Sequence, residues 1–526
     1  MKASTLRTFQ VVHTWTGLLA GFALFIAFYA GALTVFHDDI ATWQTPPWRA
    51  APSAKVSTQA LIDRLVARHP QARADFGIVL PRTPGQAPYA FWFDNGQTHF
   101  ATADELGHPG DEGNRNDLAD FVYALHDSLG FPTIGLYFMG IVSVLYGLAL
   151  VSGVILHLPQ LMKDLFAMRV GKNLKRLWQD AHNAIGVLSL PFHIVFALTG
   201  AVFCLFTVTM LALNTAAFDG KLFDAFADAT RTEPVREAAG VAAPMLGYDA
   251  LIARAADIAR SHGATDFEAD YLHFTHYGDR NGVAMVRGLS DRALDIYGYI
   301  ALDAASGHEL MHSVGQTRSG NSIVYSAMYA LHFGNFGGRA VQWLYFLLGL
   351  AGAFLFYSGN LLWIESRRKR RHADQPLKTR VMARATVGVC IGSCLAISGA
   401  FAATMIADGL GIEAAGPQRI ACYGLFFAAC VYACLRPIAR ATAELLVATG
   451  ILTVVVAVVD LLRNGSAWTQ LWTSQTVAVL GIDLAGIGLG SVFLLFARAA
   501  RIRAMHGEEN SVWAVRRAAD ARQPSR

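Results

Sequence analysis

A chain of 526 residues with a 54% hydrophobic fraction and only 16% charged residues is too apolar for an ordinary water-soluble globule, where about a quarter of residues are charged. Several apolar runs reach the roughly 18 residues that mark a transmembrane helix, so the chain reads as a polytopic membrane protein with enough sequence left for extramembrane structure. The net charge of +4 excludes little, because the placement of the charges carries the information.

The first apolar run begins near residue 15 and has no small-residue cleavage site before Phe36-His37-Asp38, so it is read as a retained helix. Transmembrane helices are expected at about 13–36, 133–157, 183–210, 340–364, 381–406, 418–434, 441–463 and 474–499. The short connections are basic: Lys163, Arg169, Lys172, Lys175 and Arg176 in one, and a run from Arg367 to Arg380 in another. By the positive-inside rule these loops and both termini face the cytoplasm. No nucleic-acid partner is expected.

Two long loops then fall on the outer side. Residues 38–125 hold a helix candidate, STQALIDRLVARH, and the strand-like YAFWF and THFAT. Residues 215–330 repeat that order, with YDALIARAADIARSHG as a helix and DYLHFTHY, GVAMVRGL and IYGYIALD as strands before a turn at Ala305-Ser306-Gly307. Each loop is expected to form one small α+β module. The parsing is helix 1 at 1–37, module 1 at 38–125, helices 2 and 3 at 126–210, module 2 at 211–331, helix 4 at 332–366, an added four-helix bundle at 367–500 and a basic tail at 501–526.

Internal repetition organises the first four helices. HTWTGLLAGFALFIAFYAG from His13 and HNAIGVLSLPFHIVFALTG from His182 both carry glycine four and eighteen residues after the histidine. YALH at 123–126 recurs at 329–332, and Ser-Gly follows each at the same distance, as Ser152-Gly153 and Ser358-Gly359. Two parallel repeats of helix, loop module and helix imply a pseudo-two-fold axis along the membrane normal. Equivalent residues then share a depth, which pairs His13 with His182 at the cytoplasmic end and His126 with His332 at the outer end. Facing imidazoles suit the axial positions of haem iron, and glycine one turn along lets a flat macrocycle approach the backbone. The alternative is that these histidines are interfacial and the glycines are packing notches.

His193, eleven residues after His182, lies on the same face and could ligate, relay or only hydrogen-bond; its counterpart in the first repeat is Leu24. His157 and His37 are expected to snorkel, and Trp15, Trp178 and Trp343 to sit in the interface belt. Asp483 and Glu444 are intramembrane carboxylates and proton-path candidates. The six cysteines imply no disulfide framework, and the pairs Cys390/Cys394 and Cys430/Cys434 are read as helix packing. His273, His276, His308 and His312 could catch a metal, but ordinary surface histidines on strands and turns are the commoner outcome.

HTWTGL, YALHDSLG, W-x-x-x-HNAIG with LPFHIVFALTG, and LHFGNFGG followed by WLYFLLGL and YSGNLLW together resemble the PepSY-associated transmembrane helix family over about residues 5–370. IALDAASGHEL is similar to the strand–turn–strand that closes a PepSY domain. The resemblance implies an often iron-regulated protein, some of whose relatives are inner-membrane ferric-siderophore reductases with two haems. It carries a haem role onto His13, His126, His182 and His332, with His193 in a less defined haem-related role. No C-x-x-C-H occurs, so two haems of b type are expected. A ferric siderophore would be the electron acceptor. No Gly-rich dinucleotide loop occurs in the cytoplasmic segments, so the donor would be a separate protein or a membrane quinol. A non-enzymatic PepSY regulator that binds a peptide, protease or uptake partner is the competing reading, and a transporter is the third.

Overall fold

The computed structural model describes residues 3–45, 57–80, 87–94, 97–103, 105–107, 118–157, 174–289, 294, 297–315, 320–369, 372, 374–463 and 474–515. Residues 158–173 of the connection 158–180 and the tail beyond 515, both read as basic and cytoplasmic, lie outside these residues.

Among the described residues, eight helices are long and apolar enough to cross a membrane: Ser4–Thr34, Ile134–His157, Leu190–Ala216, Gly338–Ser366, Leu377–Leu410, Ala415–Leu435, Ile438–Arg463 and Val479–His506. The protein is thus a multi-pass, mostly helical membrane protein. Large apolar side chains that face outward, such as Leu19, Ile141, Leu198 and Phe427, are those expected against lipid rather than water. The first span belongs to α1 (Ala3–Thr34), which leads into the short α2 (His37–Gln44).

In the first long loop, α3 (Thr58–Arg68) starts where the Ser57 hydroxyl accepts from the Ala60 N–H, and β1 (Asp75–Val79), β2 (Tyr89–Asp94) and β3 (Gln97–Thr102) follow. The chain returns through α4 (Leu118–Ser128), which ends two residues after His126, and enters the second span, α5 (Ile134–His157). Left-handed backbone at Leu129, Gly130 and Thr133 makes the tight turn between them.

The third span departs from expectation. The segment read as one helix from 183 is two: α6 (Leu174–Leu188), which carries His182, and α7 (Leu190–Ala216). Pro191 has no N–H for the Val187 carbonyl, so the helix is interrupted at Ser189, and His182 precedes the apolar span itself.

The second loop contains α8 (Leu222–Ala229), α9 (Tyr248–Ser261), β4 (Glu268–Thr275), β5 (Val283–Leu289), β6 (Tyr297–Asp303) and β7 (Glu309–Ser313). It closes with α10 (Gly320–Phe333), whose penultimate residue is His332, and α11 (Gly338–Ser366) is the fourth span. The added bundle consists of α12 (Leu377–Ala385), continued through a π-helical stretch Thr386–Ile391 into α13 (Gly392–Leu410), then α14 (Ala415–Leu435), α15 (Ile438–Arg463) and α16 (Ser474–His506).

The two loops do not form separate modules. Their strands join in one seven-stranded sheet of order β3-β2-β1-β4-β5-β6-β7, with β1 and β4 antiparallel from Asp75 opposite Thr275 to Val79 opposite Tyr271. The physical reason is edge protection: three- and four-stranded sheets standing alone would each leave unpaired backbone, and β1 against β4 removes one edge from each. One face is covered by α3 and α9, where Leu61, Leu65, Leu251 and Ile258 pack on Phe76, Ile78, Leu272, Phe274, Val286 and Ile300. The other face, with Tyr271, His273, Arg287 and Tyr299, looks toward the helix bundle.

The added bundle shares a core with the first helices. Cys390, Cys394, Ile397 and Ala400 are buried in the same cluster as Phe25, Phe28 and Tyr29 of α1. The Trp43 indole N–H donates to Asp483 at 3.0 Å. Glu444 pairs with Arg436 at 2.8 Å and accepts from the Tyr432 hydroxyl, so it serves an ion pair at a helix start.

At the sheet junction His273 bonds Asp75 of the first loop at 3.1 Å and Glu233 of the second at 3.3 Å. Burial alone would lower its pKa, but the two carboxylates outweigh burial and raise it to about 9. A folded-state pKa above the unfolded value of about 6.5 stabilises the fold fully below that value, and the contribution is lost as pH rises through about 9. The melting-temperature gap between wild type and His273→Gln is therefore expected to be largest at pH 6 and to close by pH 10. A gap independent of pH in thermal melts would show that the ion triad contributes nothing.

Candidate functional site

The structure brings the four repeat histidines together in two pairs. The rings of His13 on α1 and His182 on α6 have centres 6.2 Å apart and are nearly perpendicular. Those of His126 on α4 and His332 on α10 lie 6.0 Å apart. His126 rests against Gly31, eighteen residues along α1 from His13, so the pairs are separated by about 27 Å of helix rise.

Hydrogen bonding fixes the protonation of each ring. His13 Nδ1 lies 2.8 Å from the Ala149 carbonyl, His182 Nδ1 3.1 Å from that of Leu355, and His126 Nδ1 2.8 Å from that of Ala27. A carbonyl can only accept, so Nδ1 carries the proton in all three. His332 Nδ1 lies 2.7 Å from the Thr199 hydroxyl, whose own proton is given to the Val195 carbonyl, so here too Nδ1 donates. In a neutral ring this leaves an Nε2 lone pair, and among the described residues no hydrogen bond engages any of the four Nε2 atoms. A carbonyl or hydroxyl acceptor on one nitrogen and a free lone pair on the other is the arrangement that metal-binding histidines use.

The His13–His182 pair follows the repeat in its partners as well as its positions. The 206 residues that separate His126 from His332 also separate Ala149 from Leu355 and Gly153 from Gly359. Ser358 donates to the same Leu355 carbonyl at 2.9 Å, while the Ser152 hydroxyl is shared between the carbonyls of Leu148 at 2.7 Å and Ala149 at 3.0 Å. A Cβ on Gly153 would lie 3.0 Å from His13 Cε1, and one on Gly359 would lie 3.3 Å from His182 Cε1. The Ser-Gly words are thus the seats of the imidazoles, a role that the sequence reading, which used them only as repeat markers, did not assign. Gly17, expected to admit a macrocycle, faces open space. The His126–His332 pair is less symmetric: Gly31 seats His126, whereas Gly200 meets Ser143 and His332 relies on Thr199.

His193 is different. It is fully buried, its Nδ1 lies 2.5 Å from the Tyr146 hydroxyl, and its Nε2 lies 2.9 Å from Ser189 Oγ. Ser189 gives its proton to the Ile185 carbonyl, so Nε2 donates to Ser189 and Nδ1 accepts from Tyr146. Neither nitrogen has a lone pair to spare. His193 sits against Phe28 and Phe192, and Phe28 also packs on Phe196, which touches His332.

The His126–His332 pair opens into a cavity of about 1210 Å³ between the bundle and the sheet. His126, His332 and Gly31 form its floor, Phe192, Phe196, Tyr329 and Tyr345 line its walls, and Arg287, Tyr299 and Ser313 belong to the sheet above. Ser326, also on the wall, has a buried hydroxyl with no partner among the described residues. His37 on the rim bonds Asp120 at 2.9 Å and Asp38 at 3.2 Å. Burial opposes its charge, yet the two carboxylates raise its pKa to about 9.

The donor set fits haem. Each pair offers two uncommitted Nε2 lone pairs from rings about 6 Å apart, the neutral imidazole donors that haem iron takes.

Comparison with known proteins places these features in a family. The model of the PepSY-associated TM region matches residues 10–366, which include all four paired histidines and end with the fourth span. A Pseudomonas aeruginosa protein described as "Uncharacterized protein PA4219" is 26% identical over 287 residues, covering 52% of this chain and 69% of its own.

The seats make a direct prediction. Gly31→Ala places a methyl 2.6 Å from His126 Nδ1 and is expected to destabilise the protein in detergent by about 1–3 kcal/mol. Gly17→Ala meets nothing and is expected to leave stability unchanged or slightly raised. Equal melting temperatures for the two variants would remove Gly31 as a seat.

Proposed function

Because the chain belongs to the PepSY-associated transmembrane family, we propose that it holds two b-type haems and passes electrons across the bacterial inner membrane to a ferric siderophore or a similar ferric chelate. The observation that carries this reading is the shared state of the four histidines: Nδ1 committed as a donor, Nε2 free, and ring centres about 6 Å apart in each pair.

Haem, when bound, would supply reversible one-electron transfer. His13 and His182 would hold one iron toward the basic loops, and His126 and His332 the other beneath the cavity. The backbone carbonyls and Thr199 keep each Nδ1 protonated and so keep each Nε2 available. Phe28, Phe192, Phe196 and Phe356, with the Tyr146–His193 pair, fill the space between the sites with rings and keep it dry. The cavity is large enough for a chelate, and the unpartnered Ser326 hydroxyl offers a polar contact. Reduction of the bound ferric ion weakens its hold on hard oxygen donors, which is how one electron releases iron.

The basic connections then face the cytoplasm, where a separate protein or a membrane quinol gives the electrons. The two halves of the sheet, each a helix packed on antiparallel strands, read as PepSY-like units on the periplasmic side.

Protein purified from haem-replete cells is expected to show a sharp Soret band that shifts on dithionite, with two haems per chain. His13→Ala or His182→Ala should each lose one haem, and His126→Ala or His332→Ala the other. A ferric siderophore added to the reduced protein should restore the oxidised spectrum. A colourless protein would overturn the reading, and full haem content in all four variants would overturn the ligand assignment.

A further inference from the structure

The sheet face turned away from the cavity carries a second constellation, independent of the paired histidines. We propose that His262, Glu309 and His312 form a binding site for a divalent transition-metal cation of the Zn²⁺, Ni²⁺ or Cu²⁺ class. Each offers one donor atom, and the three atoms lie within 4.8 Å of one another. His312 Nδ1 is 2.5 Å from Glu309 Oε1, and His262 Nε2 is 3.7 Å from the same oxygen. The two imidazoles stack with ring centres 3.8 Å apart. An ordinary surface ion pair needs one imidazole; here two rings address one carboxylate oxygen.

Three backbone features produce the convergence. Residues 309 and 312 of a regular strand would point to opposite faces, because side chains alternate. The β6–β7 pairing contains a bulge: Ile300 lies opposite His312 and Ala301 opposite Met311, but Leu302 lies opposite Glu309. The extra residue, Leu310, returns Glu309 to the face that His312 occupies, the re-aiming that bulges make possible. His262 comes from another element, as the C-terminal cap of α9. Gly315 brings the two ends together: its φ is +56°, and a Cβ there would lie 2.3 Å from the His262 carbonyl oxygen, so only glycine lets the chain leaving β7 press on that cap.

The donor chemistry selects the class of ion. Two imidazoles and a carboxylate suit Zn²⁺, Ni²⁺ and Cu²⁺, with Cu²⁺ the tightest, whereas Ca²⁺ and Mg²⁺ require shells of oxygen. All three side chains are about a quarter to a third exposed, so the ion is reached from solvent and water completes its coordination.

The test uses the full-length protein without a polyhistidine tag, stripped with a chelator and dialysed against ZnCl₂ alone. Wild type should retain one Zn²⁺ per chain more than His262→Gln, Glu309→Gln or His312→Gln, as counted by mass spectrometry of the metal. With CuCl₂, electron paramagnetic resonance should show coupling to two imidazole nitrogens in wild type and to one in His312→Gln. Melting curves of the metal-free proteins identify any variant that has lost its fold, and the near-isosteric Glu309→Gln keeps the comparison decisive. Equal zinc content in wild type and a folded Glu309→Gln, or a copper signal without imidazole coupling, would overturn the site.

Discussion

A neutral imidazole in an apolar helix bundle has one proton to give and one lone pair to place, and each must be accounted for away from water. The paired histidines meet this constraint in one way throughout. A carbonyl or a hydroxyl with its own proton committed takes the Nδ1 proton, so the lone pair stays on Nε2. Much of the surrounding structure follows from that choice. Helices α5 and α11 must come close enough for their carbonyls to receive His13 and His182, which is why glycine stands at 153 and 359. His193 obeys the same rule with the opposite outcome: Ser189 and Tyr146 use both nitrogens, and the ring becomes packing between the two sites.

How much of this could be read from the sequence depended on whether the deciding interaction leaves a local or a repeated trace. The eight spans were legible because burial in lipid demands long apolar runs. The histidine pairs were legible because duplication preserved both the words and their spacing. The Ser-Gly seats were visible as repeats but not as seats, since nothing in a helical pattern says which side chain of another helix a glycine receives. The break at Ser189 could have been anticipated from Pro191, yet the apolar pattern continues across it. The single sheet was hidden by β1, a five-residue strand containing a glycine, whose pairing with β4 involves residues nearly two hundred positions away. The bulge that sets Glu309 beside His312 leaves no periodic signal at all.

Helices α12 to α16 lie outside the family match but not outside the fold. Cys390, Cys394 and Cys422 are small buried residues in a core shared with α1, and the bond between Trp43 and Asp483 ties the last helix to the segment just after the first. An intramembrane carboxylate that sequence alone marks as a proton-path candidate is here the acceptor of an indole N–H. Glu444 is similarly held by Arg436 and Tyr432. Both carboxylates have structural partners, so neither by itself argues for translocation.

The ladder between β1 and β4 has a mechanical consequence. Transporters built from structural repeats expose a central site alternately to the two sides by rocking one repeat against the other. In this protein the two repeats are stitched by consecutive backbone pairs from Asp75–Thr275 to Val79–Tyr271, reinforced by the His273 ion triad. Parting the repeats at that end would tear a sheet, so the bundle has a fixed hinge where an alternating gate would have to open. A molecule so fastened suits cargo that crosses without the protein changing shape.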